Sequence, residues 1–366
     1  MGSSDSDDLF EVIGPDGSAD PALDPGLPQG TLLAMLRAMR RIRAIDARMM
    51  MLQRQGRVSF YGECRGQEAT PVAFAFATEL TDWIFPALRE GAIMLVRGFG
   101  LDSYLAQVYG NDLDELRGRQ MPSHYASRSV AQVSWSSCIG TQVPHAVGAA
   151  WAAKLRGDRT VTVGFMGDGA TSEADFHVAM NFAAVYRAPC VLCCQNNHWS
   201  ISVPSDRQTA SSTFAKKAVA YGMPGIRVNG NDVLALFRVA SEAVERARSG
   251  GGPTFIEAFT YRMGAHSSSD DPSRYRDQRD VDEWARRDPV AVFERYLTAK
   301  GLWDAERGAA LGAELDAEVL EAVRRVESHG PPAVLTMFDD VYAERPWHLE
   351  EQRQQIQNED QRGEDG

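Results

Sequence analysis

Asp168 and Asn197 are the residues whose type and setting point most directly to chemistry. Each closes an apolar run. Val161-Thr162-Val163-Gly164-Phe165-Met166 breaks at Gly167-Asp168-Gly169, and Cys190-Val191-Leu192-Cys193-Cys194 ends at Asn196-Asn197. A carboxylate and a carboxamide are hard oxygen ligands suited to Mg²⁺ or Ca²⁺, and Mg²⁺ usually takes one or two carboxylates and completes its octahedron with phosphates and water. The glycines flanking Asp168 permit a sharp turn and close backbone approach. A helix start beyond them is a ready anion site. These residue types in this order point to a metal-bridged diphosphate ligand.

The elements that must position the pair follow from periodicity. Between the two apolar runs, Phe176, Ala179, Met180 and Ala183 recur at three- and four-residue spacing, which predicts a helix from about Ser172 to Tyr186. Strand, turn, helix, strand is a parallel βαβ unit with a right-handed crossover. Strands buried on both faces read as continuous apolar runs, as these do. Ligands of open parallel sheets sit beyond the carboxyl ends of strands, so the two oxygens are expected to meet at one site.

Gly-Asp-Gly, 26 residues, then Asn-Asn resembles the thiamine diphosphate (ThDP) motif, and Gly167-Asp168-Gly169-Ala170-Thr171-Ser172-Glu173 is similar to that of 2-oxo acid dehydrogenase E1 α subunits. The fold implied is α/β, a thiamine diphosphate-binding fold whose parallel sheet is flanked by helices, with helical N- and C-terminal extensions. The resemblance implies that Asp168, the Asn197 side chain and the Trp199 carbonyl hold Mg²⁺. Gly167, Gly169 and Ala170 would lie along the diphosphate, Gly169 and Ala170 through their N–H groups. Gln195 stands where some relatives carry a phosphate-binding Arg. Arg89, in Ala87-Leu88-Arg89-Glu90, would grip the diphosphate, for which a guanidinium fork is well matched; Leu88 replaces a common Tyr. Ser137 and Ile139 would lie against the cofactor, with Ile139 as the apolar wedge that bends it. Ser136, Cys138, Thr141 and Gln142 match a K⁺-binding loop of some relatives. In Tyr261-Arg262-Met263-Gly264-Ala265-His266-Ser267, which resembles the family's phosphorylation loop, His266 is the implied catalytic residue. Imidazole is the natural group for proton handling near neutral pH. His124, in Gly118-Arg119-Gln120-Met121-Pro122-Ser123-His124, is expected near the entrance, and Arg54-Gln55-Gly56-Arg57-Val58-Ser59-Phe60-Tyr61 in the substrate pocket.

Composition excludes other classes. The formal charge of −12 argues against nucleic acid, whose phosphates need clustered Lys and Arg. No apolar run approaches the roughly 20 residues of a membrane span. The five cysteines read as reduced thiols, which places the chain in the cytoplasm; Cys190-x-x-Cys193 sits inside an apolar strand and reads as core packing, not redox or zinc chemistry. A dinucleotide-binding reading lacks the Gly-x-Gly-x-x-Gly turn.

Residues 1–28 carry seven acids and no Lys or Arg and read as an acidic flexible arm. The domain proper is expected over 29–346, opening on an amphipathic helix from Thr31 to Gln55, and 347–366 reads as a polar tail. No segment supplies the Glu that would hydrogen-bond the cofactor's aminopyrimidine. The resemblance assigns that group to a separate E1 β subunit, so the site is expected to close only in an α2β2 assembly that passes an acyl group to the lipoyl domain of E2. Arg-Gln-Gly-Arg-Val-Ser-Phe-Tyr and the Pro346-Trp347-His348-Leu349 ending favour a branched-chain 2-oxo acid substrate, with pyruvate and acetoin as alternatives. Leu88, Gln195 and Cys138 also leave open a catalytically impaired scaffold subunit.

Overall fold

The computed structural model describes residues 8–364, with side chains through Glu359. Among these, six strands form one all-parallel sheet: β1 (Leu9–Phe10), β2 (Trp83–Phe85), β3 (Thr162–Gly167), β4 (Cys190–Asn196), and, after a short antiparallel ribbon of β5 (Trp199–Ser200) and β6 (Val203–Pro204), β7 (Gly225–Asn229) and β8 (Thr254–Phe259). The order across the sheet is β1-β7-β8-β4-β3-β2. β3 pairs in register with β4 from Thr162 opposite Cys190 to Gly167 opposite Gln195, so the two runs end level with one another.

Pleating sorts alternate residues of these strands into two cores. Val163, Phe165, Val191, Cys193, Ile256 and Ala258 pack under a layer that includes α1 (Gln29–Arg54), α2 (Ala69–Ala77), α3 (Gly91–Val96) and α4 (Leu101–Tyr109). Met166, Cys190, Leu192, Cys194 and Phe255 pack under α5 (Gln142–Arg156) and α6 (Ala174–Tyr186). Cys190 and Cys193 therefore face opposite layers, which is why their spacing carries no chelate or disulfide. α7 (Val233–Arg248) joins the first layer, as do α9 (Pro289–Ala299) and α10 (Ala305–Glu327). α8 (Gln278–Ala285) has no buried residue, and α11 (Trp347–Glu364) is a largely exposed helix over the segment expected to be a tail. No helix among the described residues is long and apolar enough to cross a membrane.

One expectation needs correction. Residues 8–28 are not a loose arm: Leu9 and Phe10 add an edge strand beside β7, Val12 and Ile13 are core residues, and their N–H groups both donate to Asp232 Oδ2 at 2.6 Å. Composition counts the acids but not the short apolar edge between them. The domain accordingly does not begin at residue 29; residues 1–7 lie outside the described residues. The helix expected from about Ser172 begins at Ala174, after a 3-10 turn over Asp168–Ser172.

Candidate active site

The carboxyl ends of β3 and β4 open into a cavity of about 490 Å³. Its wall includes Arg89, Ser137, Ile139, Gly167, Asp168, Gly169, Gln195, Asn197, Trp199 and His266. Every residue expected to touch ThDP or Mg²⁺ except Ala170 thus lines one cavity, whereas His124, Cys138 and Thr141 do not; Ala170 is fully buried in the turn beside them. The segment 54–61 does not line the cavity. Tyr61 turns inward instead, its hydroxyl donating to the buried Asp46 at 2.8 Å, while its backbone pairs with Ser268.

Asp168 sits at the end of β3 with 1% of its surface exposed. Burial pushes its carboxyl up to about 6, against the pull of its own N–H, the Arg262 charge and the Asn197 N–H. Its Oδ2 has no hydrogen-bond partner among the described residues. A buried carboxylate oxygen without a donor is costly unless a cation or proton meets it. The turn that carries it is tied down by Thr171, whose hydroxyl donates to the Asp168 carbonyl at 2.8 Å and receives Lys217 Nζ at 2.9 Å.

Asn197 follows β4. Its Oδ1 accepts from the Trp199 N–H at 3.1 Å, and its Nδ2 donates to Gln67 Oε1 at 3.0 Å. The neighbouring Asn196 donates to the buried Glu257 of β8 at 2.8 Å. The Trp199 carbonyl accepts from Arg262 Nη1 at 3.3 Å, so one of its lone pairs is engaged. Among the described residues no three His, Cys, Asp or Glu cluster in metal-binding geometry. One carboxylate, one amide oxygen and one shared carbonyl form an incomplete set, the kind Mg²⁺ completes with phosphate and water. The residues present fit that group.

Arg89 is buried, and its guanidinium donates to the carbonyls of Glu63 and His266, the latter at 2.8 Å. It thereby fixes the His266 loop at the cavity edge. His266 is pushed down to about 4, first by burial and then by the Arg89 and Arg262 charges, so its imidazole is neutral near pH 7. The His266 backbone N–H donates to Asp270 Oδ2 at 2.7 Å. Ser137 Oγ lies 2.7 Å from His124 Nε2, and the His124 ring packs at a tilt against Trp135, centroids 4.0 Å apart. Ile139 is 50% exposed, an apolar side chain presented at the mouth. Leu88 lines the cavity and packs against Gly62, where a Cβ would come within 2.9 Å of it.

Glu90 and Gln67 were not among the expected site residues. Glu90 is buried in the cavity wall, raised to about 7 by burial, and accepts from the Arg89 N–H at 3.2 Å and from Gln195 Nε2. The Gln195 donor is therefore taken by Glu90, and its Oε1 has no partner. Around Ser136 and Cys138 the loop closes on itself: the Cys138 carbonyl accepts from Thr141 Oγ1 at 2.9 Å, and Ser136 Oγ accepts from the Cys138 N–H at 3.2 Å.

The sheet and its strand-end cavity define an all-parallel α/β protein with its site where such sheets bind ligands. Residues 36–335 match the model of the dehydrogenase E1 component family, and the chain belongs to that family, whose enzymes use thiamine diphosphate. It is 44% identical over 359 residues to a 3-methyl-2-oxobutanoate dehydrogenase subunit alpha of Mycobacterium tuberculosis, covering 95% of this chain and 93% of the relative. It is 41% identical over 355 residues to a 2-oxoisovalerate dehydrogenase subunit alpha of Pseudomonas aeruginosa (95% and 87% covered). Against the human mitochondrial 2-oxoisovalerate dehydrogenase subunit alpha the identity is 39% over 350 residues (95% and 79% covered).

Proposed function

We propose that this chain is the α subunit of a branched-chain 2-oxo acid dehydrogenase E1, acting on a 3-methyl-2-oxobutanoate-type substrate and holding the diphosphate end of ThDP through Mg²⁺. The observation that carries the reading is the buried, unpartnered Oδ2 of Asp168 in the cavity it shares with Asn197. The names of the relatives support the substrate class.

When bound, ThDP supplies the electron sink for decarboxylation, and the protein's part is binding, orientation and exclusion of water. Asp168, Asn197 Oδ1 and the second lone pair of the Trp199 carbonyl would hold Mg²⁺. Arg89 and the N–H groups of Gly169 and Ala170 would receive the diphosphate, and Gly167 leaves open space beside it. Gln195 offers an acceptor, which suits a metal-bound water better than a phosphate oxygen. Ser137 and Ile139 would lie against the cofactor. His266, neutral and held next to Arg89, is placed to accept a proton or to hydrogen-bond the substrate carboxylate. K⁺ at the 136–142 loop would have to share oxygens already engaged within that loop.

The α-subunit relatives imply a β subunit. We assign it the missing carboxyl for the aminopyrimidine in an α2β2 assembly, with the acyl group leaving on the lipoyl domain of E2. Calorimetry of ThDP binding by the co-expressed α and β chains should show Mg²⁺-dependent binding that Asp168→Ala abolishes. Unchanged binding in that variant would favour a scaffold. The assembled enzyme should also show a higher kcat/KM for 3-methyl-2-oxobutanoate than for pyruvate, and the reverse order would overturn the substrate assignment.

A further inference from the structure

The oxygen that Asn197 presents is held in place in part by a residue 130 positions away in the chain. A carboxamide has two nearly isosteric ends, and only the oxygen can ligate a cation. Two contacts break the tie. The Trp199 N–H points at one end of the Asn197 amide at 3.1 Å and demands an acceptor there. Gln67 Oε1 meets the other end at 3.0 Å and demands a donor. Turning the amide over would set NH₂ against N–H at Trp199, and turning Gln67 over as well would not relieve that clash. With both in place, Oδ1 keeps one lone pair free.

Gln67 is itself held without slack. It is fully buried, immediately before the start of α2, and its N–H donates to the Cys64 carbonyl at 2.8 Å. Gly66 before it has φ +91°, and a Cβ there would lie 2.6 Å from the Tyr261 carbonyl oxygen, so the segment lies flat on the chain leaving β8. Thr260 Oγ1 donates to the Gly66 carbonyl at 2.9 Å, and the Met263 N–H to the Arg65 carbonyl at 3.2 Å. The Gln67 side chain lines the cavity, and its Nε2 is buried with no partner among the described residues.

We propose that Gln67 is a positioning residue for the metal: it locks the Asn197 amide with its oxygen toward the cation and does not touch the reacting atoms. The inference rests on the Mg²⁺–ThDP reading above. Groups that orient a ligand to a metal typically contribute about 10- to 100-fold in metal affinity. The test uses the assembled α and β chains with saturating ThDP, titrated with Mg²⁺. Tryptophan fluorescence is the readout, since Trp135 and Trp199 line the cavity, with activity measured in parallel.

Gln67→Met keeps the bulk and removes the acceptor. Its half-saturating Mg²⁺ should rise about tenfold, while kcat at saturating Mg²⁺ stays within about twofold of the parent. Gln67→Glu keeps an acceptor for Asn197 Nδ2 and should stay within about threefold of the parent. In an Asn197→Ala background Gln67→Met should add nothing, because the group it positions is gone. An unchanged Mg²⁺ requirement in Gln67→Met, a Gln67→Glu variant as weak as Gln67→Met, or additive effects in the double variant would each overturn the inference. If Gln67→Met instead lowered kcat at every Mg²⁺ concentration, its role would be structural. Asp168→Ala separates the two levels: if it leaves Mg²⁺-dependent binding intact, the metal reading fails whatever Gln67 does. If it abolishes binding while Gln67→Met changes nothing, only the Gln67 inference fails.

Discussion

At Gly169 an added methyl group has nowhere to go. Its Cβ would lie 2.1 Å from Ser200 Oγ and 2.6 Å from Ser200 Cβ, whereas at Gly167, two residues earlier, nothing lies within 4 Å. Gly169 therefore lets the turn after β3 slide under the ribbon that carries the Trp199 carbonyl, and Gly167 keeps space free in the cavity. Gly169→Ala should cost about 1–3 kcal/mol through overpacking. Gly167→Ala, at φ −87°, should change stability by no more than about 0.5 kcal/mol. Urea unfolding of the two variants checks this, and equal losses would refute the account. Much of the candidate site was legible at this scale. Asp168, Asn197, Arg89 and His266 stand in local strings whose residue types declare a use, and the fold brings all four to one cavity. Glu90 and Gln67 were not legible, because their use exists only in contacts made across the fold: Glu90 with Gln195, and Gln67 with Asn197. Gln195 was read as a neutral stand-in for a phosphate-binding Arg. What its spacing could not reveal is that a buried carboxyl 105 positions earlier claims its donor.

The β3–α6–β4 unit and the start of α7 show the same division between elements. Continuous apolar runs located β3 and β4 closely, since a strand buried on both faces has no polar side to blur it. Asp232 precedes α7 with the residue type of a helix cap, and its Oδ1 accepts from the N–H groups of Leu234 and Ala235, both at 3.0 Å. Its second task was hidden. Oδ2 of the same carboxylate takes the N–H groups of Val12 and Ile13, tying the N-terminal segment to α7 beside β1. One buried carboxylate thus satisfies four backbone donors, and Asp232→Ala leaves them all without it. The expected loss is about 2–4 kcal/mol, the cost of a cap plus unsatisfied buried groups. Asp232→Asn should lose less, because its remaining oxygen can still cap α7 while its NH₂ cannot receive Val12 and Ile13. Urea unfolding gives the two losses. Limited proteolysis should then cut within residues 8–28 faster in Asp232→Asn than in the parent, and equal cutting rates would mean that the segment is held by its apolar contacts alone.

For the whole molecule, the telling feature is a helix that is apolar on both sides. One side of α6 (Phe176, Ala179, Met180 and Ala183) enters the core, which is the side its periodicity announced. The other carries Val178, Phe182 and Val185, exposed at 51%, 44% and 66%. Beside them Tyr186 stacks on Trp151 of α5 at 4.4 Å, and Leu155 of α5 is 72% exposed. A helix facing water on one side should be polar there, and a contiguous exposed apolar patch marks a protein contact. The position of the patch links assembly to the site, because α6 continues the Asp168–Ser172 turn: a chain packed on its outer face would steady the helix at whose head Asp168 stands. In a family whose α-subunit relatives imply a second kind of chain, this face is where such a contact or an α–α contact should form. Phe182→Glu combined with Val185→Glu places two charges on that surface without touching the core. Thermal unfolding of the isolated chain should therefore be nearly unchanged. In sedimentation velocity with equimolar β subunit, the parent should run as the assembled species and the double variant as smaller ones, with Mg²⁺-dependent ThDP binding lost in proportion. If the double variant assembles like the parent, the patch is not an interface, and the steadying of Asp168 must come from Lys217 and Thr171 alone.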